Sequence, residues 1–140
     1  GIAARAVVFA HEDFTTPASP ELQVVRDSSW PDTQEILKGS AAARDTASKV
    51  IESDFLSRQL SAARILPETP IILDIDLDYF LCAKAVRPDD PSVFLSLVRR
   101  SPLITVSLER DWVRLLRFRG EEITSESILS DLLKLMRAAE

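Results

Sequence analysis

Short apolar runs alternate with longer amphipathic stretches along the chain. Continuous apolar runs predict three strands, at residues 5–10, 71–75 and 103–108. Helical spacing of apolar residues predicts helices at 40–50, from Ser53 or Asp54, from Pro91, at 111–118 and at about 125–139. Residues 11–32 are mostly polar and contain three prolines, so they are predicted to form one long loop.

The predicted order is strand, helices, strand, helix, strand, helices. Such alternation is typical of a mostly parallel sheet with helices packed on its faces. We therefore predict an α/β fold, a small or partial three-layer α/β/α arrangement, in a single domain spanning residues 1–140. Ligands of these sheets bind at the carboxyl ends of the strands, which here means just after Phe9, Leu73 and Val106.

The amino-acid composition excludes several kinds of partner and binding site. The chain has 22 acidic and 17 basic residues and a formal net charge of −5, which argues against a nucleic-acid partner. Its three glycines are too scattered for a phosphate-binding loop, and the lone Cys82 excludes internal disulfides. No apolar run approaches the roughly 20 residues of a membrane span. With no secretory pattern at the start, we expect a cytoplasmic protein without a membrane partner.

Three acidic residues at alternate positions follow the second predicted strand. They are Asp74, Asp76 and Asp78 in the string Ile-Leu-Asp-Ile-Asp-Leu-Asp-Tyr-Phe. In extended backbone their side chains point to one face of the sheet. A hard divalent cation would relieve the repulsion among them, because carboxylate oxygens are its preferred ligands. The alternative is that these acids cap the next helix or lie on a solvated strand end.

Two further groups of candidates follow the other strands. His11, the only histidine, and Asp13 come after the first strand, and imidazole with carboxylate is a usual ligand pair for manganese, iron or zinc. A plain surface loop is the alternative for them. Glu109 follows the third strand and could accept a hydrogen bond from a cationic substrate or take part in proton transfer. It could equally stabilise the next helix through the helix dipole.

These strand-end motifs resemble the arginase and deacetylase superfamily of metal-dependent amidohydrolases. Ala10-His11-Glu12-Asp13 fits the last four places of its Asp-Ala-His-x-Asp motif, and Asp74-Ile75-Asp76 fits its later Asp-x-Asp motif. The longer string from Leu73 to Phe80 is similar to an arginase-related family that includes peptide arginases, which convert peptidyl arginine to peptidyl ornithine. Phe9 replaces the first Asp and a further histidine ligand is missing, so a truncated or degenerate member is expected.

The resemblance implies a divalent metal, manganese before zinc or iron, with His11, Asp13, Asp74 and Asp76 as ligands. It implies hydrolysis of a guanidinium or amide C–N bond in a small-molecule or peptide substrate, with Asp13 and Glu109 as catalytic residues. An inactive arginase-like domain used for binding or assembly is the main alternative. A phosphatase of the haloacid dehalogenase type ranks last, because its motif continues to Thr or Val where this chain has Asp78. Homo-oligomerisation is left open.

The remaining bulky or basic residues are expected to be structural. Trp112 is predicted to pack, on one side of its helix with Leu115 and Leu116. The runs Arg99-Arg100 and Arg117-Phe118-Arg119 are predicted to form ordinary solvated surface.

Overall fold

The computed structural model of the protein describes residues 6–10, 22–26 and 33–139. Strands β1 (Ala6–Ala10) and β2 (Leu22–Arg26) pair in parallel as one small sheet. Strands β3 (Leu73–Asp76) and β4 (Ile104–Ser107) form a second parallel pair, with Leu73 opposite Ile104. The prediction of a mixed α/β protein with parallel strands is therefore confirmed at this level.

Two details of the predicted topology are wrong. The predicted loop at 11–32 contains β2, whose paired Val24 and Val25 lie in a run too short to stand out among prolines and polar residues. In addition, the predicted strands form no single sheet within the described residues, where β1 pairs with β2 and β3 pairs with β4.

Six α-helices are present in the described part of the chain. They are α1 (Thr33–Lys38), α2 (Ala41–Ala47), α3 (Ser53–Ala62), α4 (Ser92–Arg100), α5 (Arg110–Leu116) and α6 (Ser125–Arg137). Two 3-10 helices, Leu77–Tyr79 and Ala83–Val86, follow β3. Within the same residues, no helix combines the length and the apolar content that crossing a bilayer requires.

Local sequence explains where several helices begin and end. Gly39, at φ +65°, ends the unpredicted α1, and its N–H donates to the Glu35 carbonyl at 2.9 Å. Thr124 and Ser127 form a reciprocal capping box at the start of α6. Ser53, the first residue of α3, accepts a hydrogen bond from the Val93 N–H at 3.0 Å. It thereby ties α3 to the start of α4.

The helices and one side of the β3–β4 sheet enclose a hydrophobic core. Ile75 of β3 faces this core, and Leu77, which follows the strand, has no exposed surface. Ile128 and Leu132, one turn apart on α6, are each 1% exposed, as their helical spacing predicts. The core therefore fixes the position of β3 from both its middle and its carboxyl end.

The predicted orientation of α5 is wrong for Trp112 and Leu115, although Leu116 does pack against the core. Val113 is its buried residue, whereas Trp112 and Leu115 are 52% and 61% exposed. The adjacent run is not simple solvated surface either, because Phe118 is buried in the core and Arg117 Nη1 donates to the Ile123 carbonyl at 2.9 Å. The size of an apolar side chain therefore did not predict which residues of this short helix face the core.

A charged pair joins the second 3-10 helix to α6. Arg87 Nε and Nη2 donate to Asp131 Oδ2 at 3.0 and 2.7 Å, and Lys134 Nζ donates to Asp131 Oδ1 at 3.0 Å. The hydrogen bonds from Arg87 first, and then from Lys134, lower the pKa of Asp131. All three groups remain partly in contact with solvent, which screens the pair.

We expect Asp131→Asn to lower the free energy of unfolding at pH 7 by about 0.5–1 kcal/mol, the scale of a solvent-screened pair. Because the pKa of Asp131 is lowered in the folded state, its contribution exists above the ordinary aspartate pKa of about 3.9. It is lost as the pH falls through the folded-state pKa. Urea unfolding of both proteins should therefore converge near pH 2, and an equal difference at both pH values would contradict the pairing.

Candidate functional site

Asp74 and Asp76 lie on the same side of β3, and both are exposed. Ile75 between them is buried on the opposite side. This arrangement follows from the alternation of side chains along an extended strand. One side of the strand is therefore anchored in the core, while the other presents two carboxylates.

β4 supplies two hydroxyl groups beside these carboxylates. The register places Thr105 opposite Asp74 and Ser107 opposite Asp76. The Thr105 hydroxyl donates a hydrogen bond to Asp74 Oδ1. We call this surface, formed by Asp74, Asp76, Thr105 and Ser107, the polar face of the β3–β4 sheet.

Glu109 stands at the carboxyl end of β4, immediately before α5. Ser107 Oγ donates to Glu109 Oε1 at 2.7 Å, and the Val113 N–H donates to the Glu109 carbonyl at 2.8 Å. The Glu109 side chain makes no capping hydrogen bond to α5, so it bonds to the polar face rather than to the helix. Its backbone has φ +41°, a left-handed conformation that costs a non-glycine residue about 1–2 kcal/mol.

The carboxyl group of Asp76 is affected by its burial and by two neighbouring carboxylates. Although Asp76 is exposed as a residue, partial burial of its carboxyl group raises its pKa. The negative charges of Asp74 and then Glu109 raise the pKa of Asp76 further. The carboxyl ends of β3 and β4 therefore form a site of unfavourable negative charge, as the sequence predicts for Asp74 and Asp76.

Asp78 departs from the predicted extended arrangement. It lies in the 3-10 helix Leu77–Tyr79, because β3 ends at Asp76. Leu77, the first residue of this 3-10 helix, is fully buried. The expectation that all three acids project from one strand is thus wrong for Asp78.

The other expected ligands, His11 and Asp13, lie outside the residues that the structure describes. Within residues 6–10, 22–26 and 33–139, no three histidine, cysteine or acidic side chains are grouped closely enough to hold a metal ion. The polar face therefore offers two carboxylates suited to a hard cation, and a complete site needs donors from elsewhere.

Thr105 and Ser107 are the site residues that sequence reasoning missed. The sequence feature that could have revealed them is the alternation in Thr105-Val106-Ser107. In a strand it places Thr105 and Ser107 on one face and Val106 on the other. Recognising them as neighbours of Asp74 and Asp76 required the register between the two strands.

We expect Asp76→Asn to raise the free energy of unfolding of the metal-free protein at pH 7, by roughly 0.3–1 kcal/mol after solvent screening. A raised folded-state pKa means that stability falls as the pH rises above the ordinary aspartate pKa of about 3.9. The gain in the variant should therefore vanish below about pH 3, where the acid is protonated in both states. Denaturant unfolding at both pH values measures it, and a variant less stable at pH 7 would contradict the repulsion.

Comparisons with protein-family models, with curated proteins and with solved structures found no match to this chain. Inference about its function therefore rests on the chemistry of its own residues.

Proposed function

We propose that the protein is a divalent-metal-dependent hydrolase of the arginase-like kind, acting on a guanidinium or amide C–N bond. The observation that carries the proposal is the placement of Asp74 and Asp76 on one exposed strand face, with Glu109 near enough to raise the pKa of Asp76. Crowded carboxylates destabilise a fold unless a cation compensates them, and oxygen ligands suit such a cation.

The polar face supports a role in metal binding beyond the two carboxylates. The Thr105 hydroxyl bonds to one oxygen of Asp74 and leaves the other available. Hydrogen bonds of this kind orient metal-binding carboxylates. In other metal sites, losing such a bond lowers the metal affinity by roughly 10- to 100-fold. In the proposal, His11 and Asp13 complete the ligand set, and the imidazole favours manganese, zinc or iron over calcium or magnesium.

The proposed chemistry is hydrolysis of the substrate guanidinium to urea and an amine. When bound, a divalent cation lowers the pKa of a coordinated water toward neutrality. Glu109, oriented by Ser107, accepts hydrogen bonds from the planar guanidinium group, which a carboxylate matches in both geometry and charge. Asp13 accepts the proton that the attacking water gives up. The leaving amine takes up a proton as the C–N bond breaks.

A three-layer α/β/α arrangement belongs to the same proposal. β3 and β4 pair only with each other in the described part of the chain, so each has one edge without a strand. A parallel sheet is normally wider and is covered on both faces. For His11 to reach Asp74 and Asp76, the carboxyl end of β1 must lie beside the carboxyl end of β3.

The test is a measurement of urea release by the purified protein loaded with Mn²⁺. We expect release from arginine or from an arginine-containing peptide, and its loss in His11→Ala and in Glu109→Gln. Asp111→Asn is the matched control, because this exposed acid lies on α5, two residues after Glu109. Bound metal with no urea from either substrate would contradict the hydrolase.

A binding or assembly module is the second candidate. The exposed Trp112 and Leu115 favour it, since both large apolar side chains lie on α5 directly beyond Glu109. Stoichiometric Mn²⁺ without turnover, together with weakened self-association in Trp112→Ser, would support this module over the enzyme.

A further inference from the structure

A basic groove lies between α5 and the start of α6, separate from the polar face. Its volume is about 290 Å³, near the lower limit for small-molecule sites. Arg110, Arg114 and Arg117 line it together with Glu126. Three guanidinium groups and one carboxylate give this groove a formal charge of +2, in a protein whose formal net charge is −5.

The three arginine side chains differ in how many of their hydrogen-bond donors are already used within the protein. Arg110 Nε donates to Glu126 Oε1 at 2.7 Å, and this hydrogen bond lowers the pKa of Glu126. Arg117 donates through Nη1 to the Ile123 carbonyl, which holds its side chain along the groove. Arg114 is exposed, and none of the described residues forms a hydrogen bond or ion pair with its guanidinium group. Its donors are therefore available at the groove.

Ser125, the first residue of α6, has a buried hydroxyl group at the groove. It lines the groove and is 2% exposed, yet its hydroxyl is buried with no hydrogen-bond partner in the described structure. A buried hydroxyl without a partner costs about 1–3 kcal/mol. At this end of α6 the Ser127 N–H already donates to Thr124 Oγ1, and the helix dipole adds a partial positive charge.

We propose that the groove binds a phosphate group. A tetrahedral dianion has enough acceptor oxygens to engage Arg114 and Arg117 at once and to supply the acceptor that Ser125 lacks. Helix N-termini and arginine side chains are general means of binding phosphate. The phosphate comes either from free inorganic phosphate or from a phosphate monoester. This proposal does not depend on the proposed hydrolase activity, because it uses no residue of the polar face.

Isothermal titration calorimetry of the full chain with inorganic phosphate and with phenyl phosphate tests the proposal. We expect saturable binding that weakens as sodium chloride is added. Arg114→Gln should weaken it about five- to tenfold, the effect of losing one charge-assisted hydrogen bond at a solvent-exposed site. Tighter binding of phenyl phosphate would identify a monoester as the ligand, and equal or weaker binding would identify free phosphate.

Two further variants separate ligand binding from folding. Arg137→Gln removes the same charge at the other end of α6 and should leave phosphate affinity unchanged. Ser125→Ala should weaken phosphate binding without lowering the midpoint of thermal unfolding in phosphate-free buffer, because the lost hydroxyl had no partner there. No saturable binding, or equal weakening in Arg114→Gln and Arg137→Gln, would overturn the proposal.

Discussion

Replacing Leu77 by alanine is expected to lower the free energy of unfolding by about 3–5 kcal/mol, the range for leucine truncation in a packed core. Leu77 has no exposed surface, and its 3-10 helix packs against both α5 and α6. The cavity left by the side chain cannot collapse easily, because neighbours such as Ile128 are themselves fully enclosed. Urea unfolding followed by circular dichroism measures the effect.

Ile72→Ala is the matched control for this change. Ile72 lies just before β3 and is 47% exposed, so its truncation should cost about 0.5 kcal/mol or less. Similar costs for the two variants would contradict the burial of Leu77.

The second large effect is expected in metal binding. Asp74→Asn and Asp76→Asn should each weaken Mn²⁺ binding by about 100-fold or more, since loss of a ligand exceeds the 10- to 100-fold effect of losing a group that orients one. Thr105→Val, which removes the hydroxyl that bonds to Asp74, should weaken it about tenfold. The electron paramagnetic resonance signal of free Mn²⁺ measures each affinity directly.

Asp78→Asn supplies the control for this series. It makes the same change of charge two residues beyond Asp76, but in the 3-10 helix rather than on the polar face. We expect its Mn²⁺ affinity to match that of the unaltered protein. Equal losses at positions 74, 76 and 78 would point to a diffuse charge effect, and no loss at any of them would exclude the polar face as a metal site.

The arrangement of Asp74 and Asp76 could be predicted from the sequence, because it follows from the alternation of side chains along a strand. Alternation in a strand placed Asp74 and Asp76 on one side of β3 and Ile75 on the other. The same rule failed at Asp78, because the backbone leaves the extended conformation and forms a 3-10 helix from Leu77 onward. The strand ends where its pairing with β4 ends, at Asp76 opposite Ser107, and a local pattern does not contain that partnership.

Features that depend on pairing between distant segments were the least predictable. β2 pairs with β1, and the sequence of its five residues does not reveal that partnership. The orientation of α5 depends on which face meets the core, and Val113 fills that position instead of the larger Trp112. Thr105 joined the site for the same reason, since its place beside Asp74 is set by strand register.

The basic groove also lacked a sequence signal strong enough to predict it. Arg110, Arg114 and Arg117 have the spacing of one helix face, which usually means ordinary solvated surface. Packing of α5 beside the start of α6 brings these side chains together with Ser125. Of these two candidate sites, the polar face thus follows largely from local sequence and the groove from tertiary structure.

The central claim is that Asp74 and Asp76 bind one divalent cation together with His11. Its most direct test is nuclear magnetic resonance of protein labelled with ¹³C in aspartate and ¹⁵N in histidine, titrated with substoichiometric Mn²⁺. Because paramagnetic broadening is strongest for nuclei next to the ion, we predict that the carboxyl signals of Asp74 and Asp76 and the ring nitrogens of His11 broaden first. Selective loss of these signals would support the site. Even broadening across the aspartates, or a His11 ring that stays sharp while Asp74 and Asp76 disappear, would contradict it.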